Sequence, residues 1–347
     1  MSEAQLIADA VARSGAIADV VVGNGVLAKA GEMMGRHFQG GPAHVICDEN
    51  TRAAGEALFG ALTAAGVAVS TTVLPAAPRP KPTVELANAL AADIGERVPV
   101  ALGSGVINDV VKYAAFSLGR PYFCVATAAS MDGYTSAGSP LSEGGFKKTI
   151  PTRAPLVILA DLDVVAKAPA AMSGWGYGDL AGKVPAGGDW IVADALGVEA
   201  IDDVAWPLVQ NNLAGWLSDP DGVKAGDPDA ISALFAGLTL SGLAMEFHGS
   251  SRPASGADHQ IAHLWEMESL THEGERVSHG ACVSVATMAV MRLYDWLIGQ
   301  DLAGIDAGAI LVSARTLDEK TAEMGARLPK ELAKKAAAET AAKHASP

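Results

Sequence analysis

The spacing of apolar and polar positions changes partway along the chain. Short apolar runs recur at ADVVVG (18–23), AHVICD (43–48), VAVSTTVL (67–74), VPVALGS (98–104), PYFCVAT (121–127) and LVILAD (156–161). Several are apolar at nearly every position, as strands covered on both faces of a parallel sheet must be. Between them, stretches such as 50–65 and 83–95 carry the 3.6-residue period of helices. Alternating strand and helix predicts a doubly wound, Rossmann-like α/β domain with its ligand beyond the carboxyl ends of the strands. GYTSAGSPLSEGGFKKTIP breaks the rhythm, and its Glu143-Gly144-Gly145 turn predicts a hairpin beside the sheet. After about residue 165 only helical spacing remains, at 163–168, 186–195, 206–217, 228–248, 257–270, 280–299, 306–313 and 318–342. The expected organisation is an α/β domain over 1–165 and an all-α domain over 166–347, with a solvated alanine-lysine tail.

Composition agrees with that reading. A chain of 347 residues exceeds the usual size of one compact domain. Half its residues are apolar but only 5% are aromatic, which favours small-residue packing of helices on parallel strands. A net charge of −14 argues against a nucleic-acid surface or an anionic membrane as partner. An anionic substrate would therefore need a local cationic pocket. Cys47, Cys124 and Cys282 are odd in number and widely spaced, so a reducing, cytoplasmic setting is expected. The N-terminus lacks the basic and apolar regions of a signal peptide. No apolar run reaches the roughly 20 residues of a membrane span. A soluble protein is the expectation.

Chemistry is suggested first by ALGSGVINDVVKYAAF (101–116), a strand, a Gly-Ser-Gly turn and a helix. Gly103, Ser104, Gly105, Val106 and Ile107 form a turn whose backbone N–H groups can meet a pyrophosphate at the helix N-terminus. A tight turn without a ligand is the plainer alternative. Asp48, closing its strand, is suited to a ribose diol and would favour NAD over NADP; it is equally suited to cap the next helix. VATAASMDGYTS follows a buried strand and offers Thr127, Ser130, Asp132 and Ser136 to a ribose or a nicotinamide amide.

A second group suggests a divalent metal. Asp179 follows the glycine-rich GWGYG, which reads as a turn, and His259 and His263 share a helical face at i, i+4. His279 stands in the turn before a long apolar helix. One carboxylate with two or three imidazoles can hold an ion and leave a position open. Incidental histidines are the competing explanation.

GSGVINDVVKY, TAASMDG, GYGD and GSSRPASGADHQIAHLWE followed by SHG resemble the iron-containing alcohol dehydrogenase superfamily over about residues 20–300. Within it, the chain is most similar to sn-glycerol-1-phosphate dehydrogenases of the bacterial type associated with arabinose operons. The resemblance implies a dehydroquinate synthase-like fold in which Asp179, His259 and His279 hold the metal, usually zinc, with nickel or iron as alternatives. It implies that residues 103–107, Thr127, Ser130 and Ser136 bind NAD or NADP, and that Asp132, Asp179 and His263 meet the substrate. The implied reaction is reversible reduction of dihydroxyacetone phosphate, with His263 as proton relay. For the substrate phosphate the sequence offers Arg252 in SSRPAS, favoured because the motif surrounds it, and the Lys147–Lys148 pair on the hairpin; a homodimer is expected. Two departures stand out. The loop reads Gly-Ser-Gly where much of the superfamily has three glycines, and the acidic insertion EMESLTHEGERVS leaves His272 as a rival third ligand. The alternatives carried forward are a polyol dehydrogenase or 3-dehydroquinate synthase-like lyase, and a non-catalytic nucleotide-binding protein.

Overall fold

The structure, a computed structural model, describes residues 2–306, 308–309 and 315–344. The strands are β1 (Asp19–Gly23), β2 (Ala43–Asp48), β3 (Val69–Leu74), β4 (Val98–Gly103), β5 (Phe123–Ala126), β6 (Gly138–Glu143), β7 (Phe146–Pro151) and β8 (Val157–Asp161). Six make one parallel sheet in the order β1-β8-β5-β4-β2-β3, while β6 and β7 form the separate antiparallel hairpin that the glycine turn predicts. Register sets Gly103 beside Ala126 and Ala126 beside Ala160, so the loops leaving β4, β5 and β8 open on one edge. The chain runs outward from β2 to β3, then returns past β2 to β4 and continues the other way. The direction of winding therefore reverses between β2 and β4. In open α/β sheets a crevice forms at that reversal.

β5 and β8 are buried along their whole length, which explains their unbroken apolar sequences. One apolar cluster covers one sheet face with Met33, Leu58, Leu62 and Phe123. The other runs from Ile46, Ala101 and Cys124 of the sheet into Leu180, Leu234, Phe235 and Leu243 of the helical half. That core is continuous across residue 165, and the helix Glu3–Val11 packs on Pro228–His248.

Several helices differ from expectation. The stretch read as a glycine-rich turn is the helix Ala170–Ala181. The glycines at its contact with helix His279–Ile298 serve packing: a Cβ on Gly178 would lie 1.6 Å from Ser284 Oγ, and one on Gly280 of the facing helix would lie 2.3 Å from the Trp175 carbonyl oxygen. Helix Ala170–Ala181 and helix His279–Ile298 thus cross backbone to backbone. His279 is the first residue of its helix, capped by Ser278, rather than part of a preceding turn. The stretch 206–217 divides into Ala205–Gln210 and Leu213–Trp216, and Pro220–Ala225 is an additional turn of helix. The tail helix is interrupted before Pro329 into Leu317–Arg327 and Lys330–His344. The insertion forms a small hairpin pairing Thr271–His272 with Glu275–Arg276. The helix expected over 306–313 falls largely outside the described residues. Against the expectation of none, Pro228–His248 and His279–Ile298 reach the length and mean hydropathy of a membrane span. The first is mostly core, and the second packs on Ala170–Ala181 and Ala257–Met267.

Candidate metal centre and dinucleotide cleft

A cleft of about 2160 Å³ opens at the carboxyl edge of the sheet and is lined by both halves of the molecule. The sheet side presents Asp48, Ser104, Gly105, Val106, Ile107, Thr127, Ser130 and Ser136. Gly103 lies behind the loop, where a Cβ would strike Ile107 at 2.6 Å. At Gly105 a Cβ would meet only Met131, at 3.7 Å, so the backbone itself faces the cleft. Ser104 is the N-cap of helix Gly105–Ser117 yet makes no side-chain cap bond; its hydroxyl pairs with Ser130 Oγ. The first-turn amides are thus left for another acceptor, an arrangement that fits a pyrophosphate. Asp48 lines the cleft while accepting from Thr51 N at 2.7 Å in a capping box.

The loop after β5 is fixed from below. Lys112 is fully buried, and its ammonium donates to the carbonyls of Gly133 (2.6 Å), Ser136 (2.9 Å) and Gly138 (3.1 Å). Thr135 Oγ1 donates to the Thr239 carbonyl at 2.7 Å. A Cβ on Gly242 would lie 2.0 Å from Thr135 Oγ1, so helix Pro228–His248 receives the loop at a glycine. Asp132 is thereby carried against the helical half, where its backbone N–H donates to Asp179 Oδ2 at 3.1 Å.

Asp179, His259 and His279 each bring a ligand atom within 4.8 Å of the other two. His259 Nε2 is 3.4 Å from Asp179 Oδ1, and the His259 and His279 rings are 5.5 Å apart. Each imidazole is held from behind through Nδ1: His259 by Asp258 Oδ2 at 2.9 Å, His279 by Glu266 at 3.3 Å. That leaves Nε2 of both rings for the metal side, the outer hydrogen-bonding that ligating histidines require. The donor set of one carboxylate and two imidazoles fits a divalent first-row ion. His263 stacks on His279 with centroids 5.5 Å apart and lines the same cleft. His263, Glu266 and His279 also satisfy the same 4.8 Å proximity.

Two charged residues of this centre, Lys183 and Glu266, were missed in the sequence. Lys183 is fully buried one turn after Asp179; its ammonium lies 2.8 Å from Asp179 Oδ1 and 2.7 Å from Asp132 Oδ2. Glu266 is 2.7 Å from Lys147 Nζ. The i, i+4 spacing of Asp179 and Lys183 was the available signal; for Glu266 it was one helical turn after His263. Burial alone would raise the Asp179 carboxyl, but Lys183 and His259 outweigh it and hold the acid far below its usual range. Burial would likewise depress Lys183, and Asp132 and Asp179 instead raise it. His259, opposed by burial but bonded to Asp179 and Asp258, is pushed up to about 9. Burial, then the neighbouring His279, pulls His263 down to about 3, so it is neutral.

The structure turns two expected cations away. Arg252 Nε is 2.6 Å from Glu199 Oε2, and Arg252 is not among the residues lining the cleft. Lys148 is half-exposed and pairs with Glu143 at 3.0 Å. Strand residues alternate faces, so on β7 it is Lys147 that enters the cleft. His272 is exposed on the small hairpin, away from the cluster.

The family model described as iron-containing alcohol dehydrogenase matches residues 21–169. A glycerol-1-phosphate dehydrogenase (NAD(P)+) of Methanothrix thermoacetophila is 35% identical over 280 residues, covering 80% of this chain and 77% of that one. One of Halalkalibacterium halodurans with the same name is 38% identical over 195 residues, 56% of this chain and 49% of that protein. The matched stretch spans about half the length of several such relatives. Among solved structures, glycerol dehydrogenase of Schizosaccharomyces pombe superposes with a TM-score of 0.62 at 20% identity, covering 81% of this chain and 72% of that one, and shows the shared fold.

Proposed function

We propose that this chain, which belongs to the glycerol-1-phosphate dehydrogenase family of the iron-containing alcohol dehydrogenases, reversibly reduces dihydroxyacetone phosphate to sn-glycerol 1-phosphate with NADH or NADPH. The observation that carries the reading is the meeting of Asp179, His259 and His279 at a cleft that both histidines line together with the free amides after Ser104. In this proposal those amides, with Thr127, Ser130 and Ser136, hold the dinucleotide so that the nicotinamide faces the helical half. Asp179, His259 and His279 hold a divalent ion, zinc before nickel or iron. Such an ion supplies Lewis-acid stabilisation of the negative charge developing on the C2 oxygen.

The chain's own residues do the rest. Asp132 and Asp179 orient the substrate's hydroxyl groups, with Lys183 fixing both carboxylates. His263, neutral and beside His279, would relay a proton between solvent in the cleft and the substrate oxygen, one ring nitrogen giving a proton as the other takes one. Positioning carbon C2 against the nicotinamide provides the main rate advantage, while hydride transfer is the cofactor's chemistry. Asp48, committed to a helix cap yet facing the cleft, favours NADH. Exposed Val285, Met288, Leu293 and Trp296 on helix His279–Ile298 support a homodimer. The three buried free thiols agree with the cytoplasm.

The test is turnover of dihydroxyacetone phosphate and of dihydroxyacetone before and after chelation. The phosphorylated triose should be preferred, and activity should vanish with the chelator and return with a divalent ion. Full activity without metal would refute the mechanism. Equal turnover of the two trioses would favour a polyol dehydrogenase.

A further inference from the structure

We infer that Lys147 is the residue through which this enzyme selects a phosphorylated substrate, with Glu266 aiming its ammonium; the inference rests on the dehydrogenase reading above. In dihydroxyacetone phosphate only one carbon and one oxygen separate C2 from phosphorus. The cation that reads the phosphate must therefore stand close beside the groups that meet C2. Five cations line the cleft: Arg79, Lys81, Lys147, Lys167 and Arg276. Lys147 is tied to the metal centre through a single carboxylate, since Glu266 contacts Lys147 Nζ at 2.7 Å and His279 Nδ1 at 3.3 Å.

The placement is also selective. Lys147 belongs to β7 on the sheet half, while Glu266 belongs to helix Ala257–Met267 on the helical half, so the pair reaches across the cleft. Both side chains are largely buried, at 18% and 13% exposure, where an ion pair is screened much less than at the surface. An ammonium carries three donors, and its bond to Glu266 uses one. The others can serve phosphate oxygens while Glu266 keeps the lysine from swinging out. Lys148 next to it faces the opposite side of the hairpin and is neutralised by Glu143.

The test compares metal-replete wild type with K147M, K147R and K148M. The readouts are the ratio of kcat/KM for dihydroxyacetone phosphate to that for dihydroxyacetone, and inhibition by inorganic phosphate with dihydroxyacetone as substrate. K147M should lower the ratio at least about tenfold through KM for the phosphorylated triose, and weaken phosphate inhibition to a similar degree. K147R should recover part of both, and K148M should leave the ratio within about twofold. A wild-type ratio retained in K147M, or an equal loss in K148M, would overturn the assignment while leaving the dehydrogenase reading intact. Should K147M not fold, K147Q takes its place, and an unchanged ratio with unchanged phosphate inhibition in that variant would overturn the assignment equally. A wild type with no preference between the two trioses would instead sink the proposed function itself.

Discussion

The two walls of the cleft are made of different materials. The sheet wall offers backbone amides, a glycine and small hydroxyls at the ends of β4 and β5. The helical wall offers ionised or ionisable side chains from four helices: His259, His263, Glu266 and His279 line the cleft, and Asp179 and Lys183 are buried behind them. Main-chain dipoles come with the secondary structure and need no counter-charge. Buried charges do, which is why each carboxylate of the helical wall sits against a cation or an imidazole. The sheet wall should therefore answer to shape, and the helical wall to charge.

Four changes would break or sharpen that contrast. The largest effect is expected from His259→Ala, which should abolish metal binding and lower turnover by about 10⁴-fold, near 5 kcal/mol, with NADH affinity retained; metal analysis and NADH titration check both. Lys183→Met leaves Asp132 and Asp179 without their shared cation. It should cost about 3–5 kcal/mol in denaturant unfolding of metal-free protein, part of it returned by a divalent ion. Unchanged stability would mean the helical wall does not depend on charge balance. On the sheet wall, Gly105→Val should weaken NADH binding by about 1–3 kcal/mol through crowding while metal content stays at wild-type level. The smallest effect concerns Asp109, whose buried carboxyl has an oxygen without a partner and is pushed up to about 7 by burial. An acid whose folded-state pKa is raised contributes stability below its ordinary value of 3.8 and loses it as pH rises to about 7. Relative to wild type, Asp109→Asn should therefore gain on the order of 1–2 kcal/mol between pH 4 and about pH 5.5. A pH-independent difference in thermal unfolding would refute this.

The same contrast explains what could be read from the sequence. The sheet wall is built from contiguous segments, so its strands and the turn at 103–105 were visible as short patterns. The helical wall joins Asp179 to histidines 80 and 100 positions further along the chain, a spacing that matches no short metal-binding motif. GWGYG misled because glycine favours turns; here Gly176 and Gly178 are kept in a helix by neighbours too near for side chains. Arg252 stood in the most distinctive motif, yet it anchors that loop to Glu199. Nothing local distinguishes Lys147 from Lys148 until the hairpin's register is known. Lys183 looked like an ordinary polar residue because its two carboxylate partners come from different halves of the molecule.

Asp179 follows Gly178 directly and His279 directly precedes Gly280, so two of the three prospective ligands ride on the very residues where the helix axes touch. The span offered to a cation is therefore gauged like the jaws of a caliper, by main-chain thickness rather than by rotamer choice. Alanine at either glycine would prise the jaws apart, and the ranking of ions by radius should shift toward larger ones before the fold is lost.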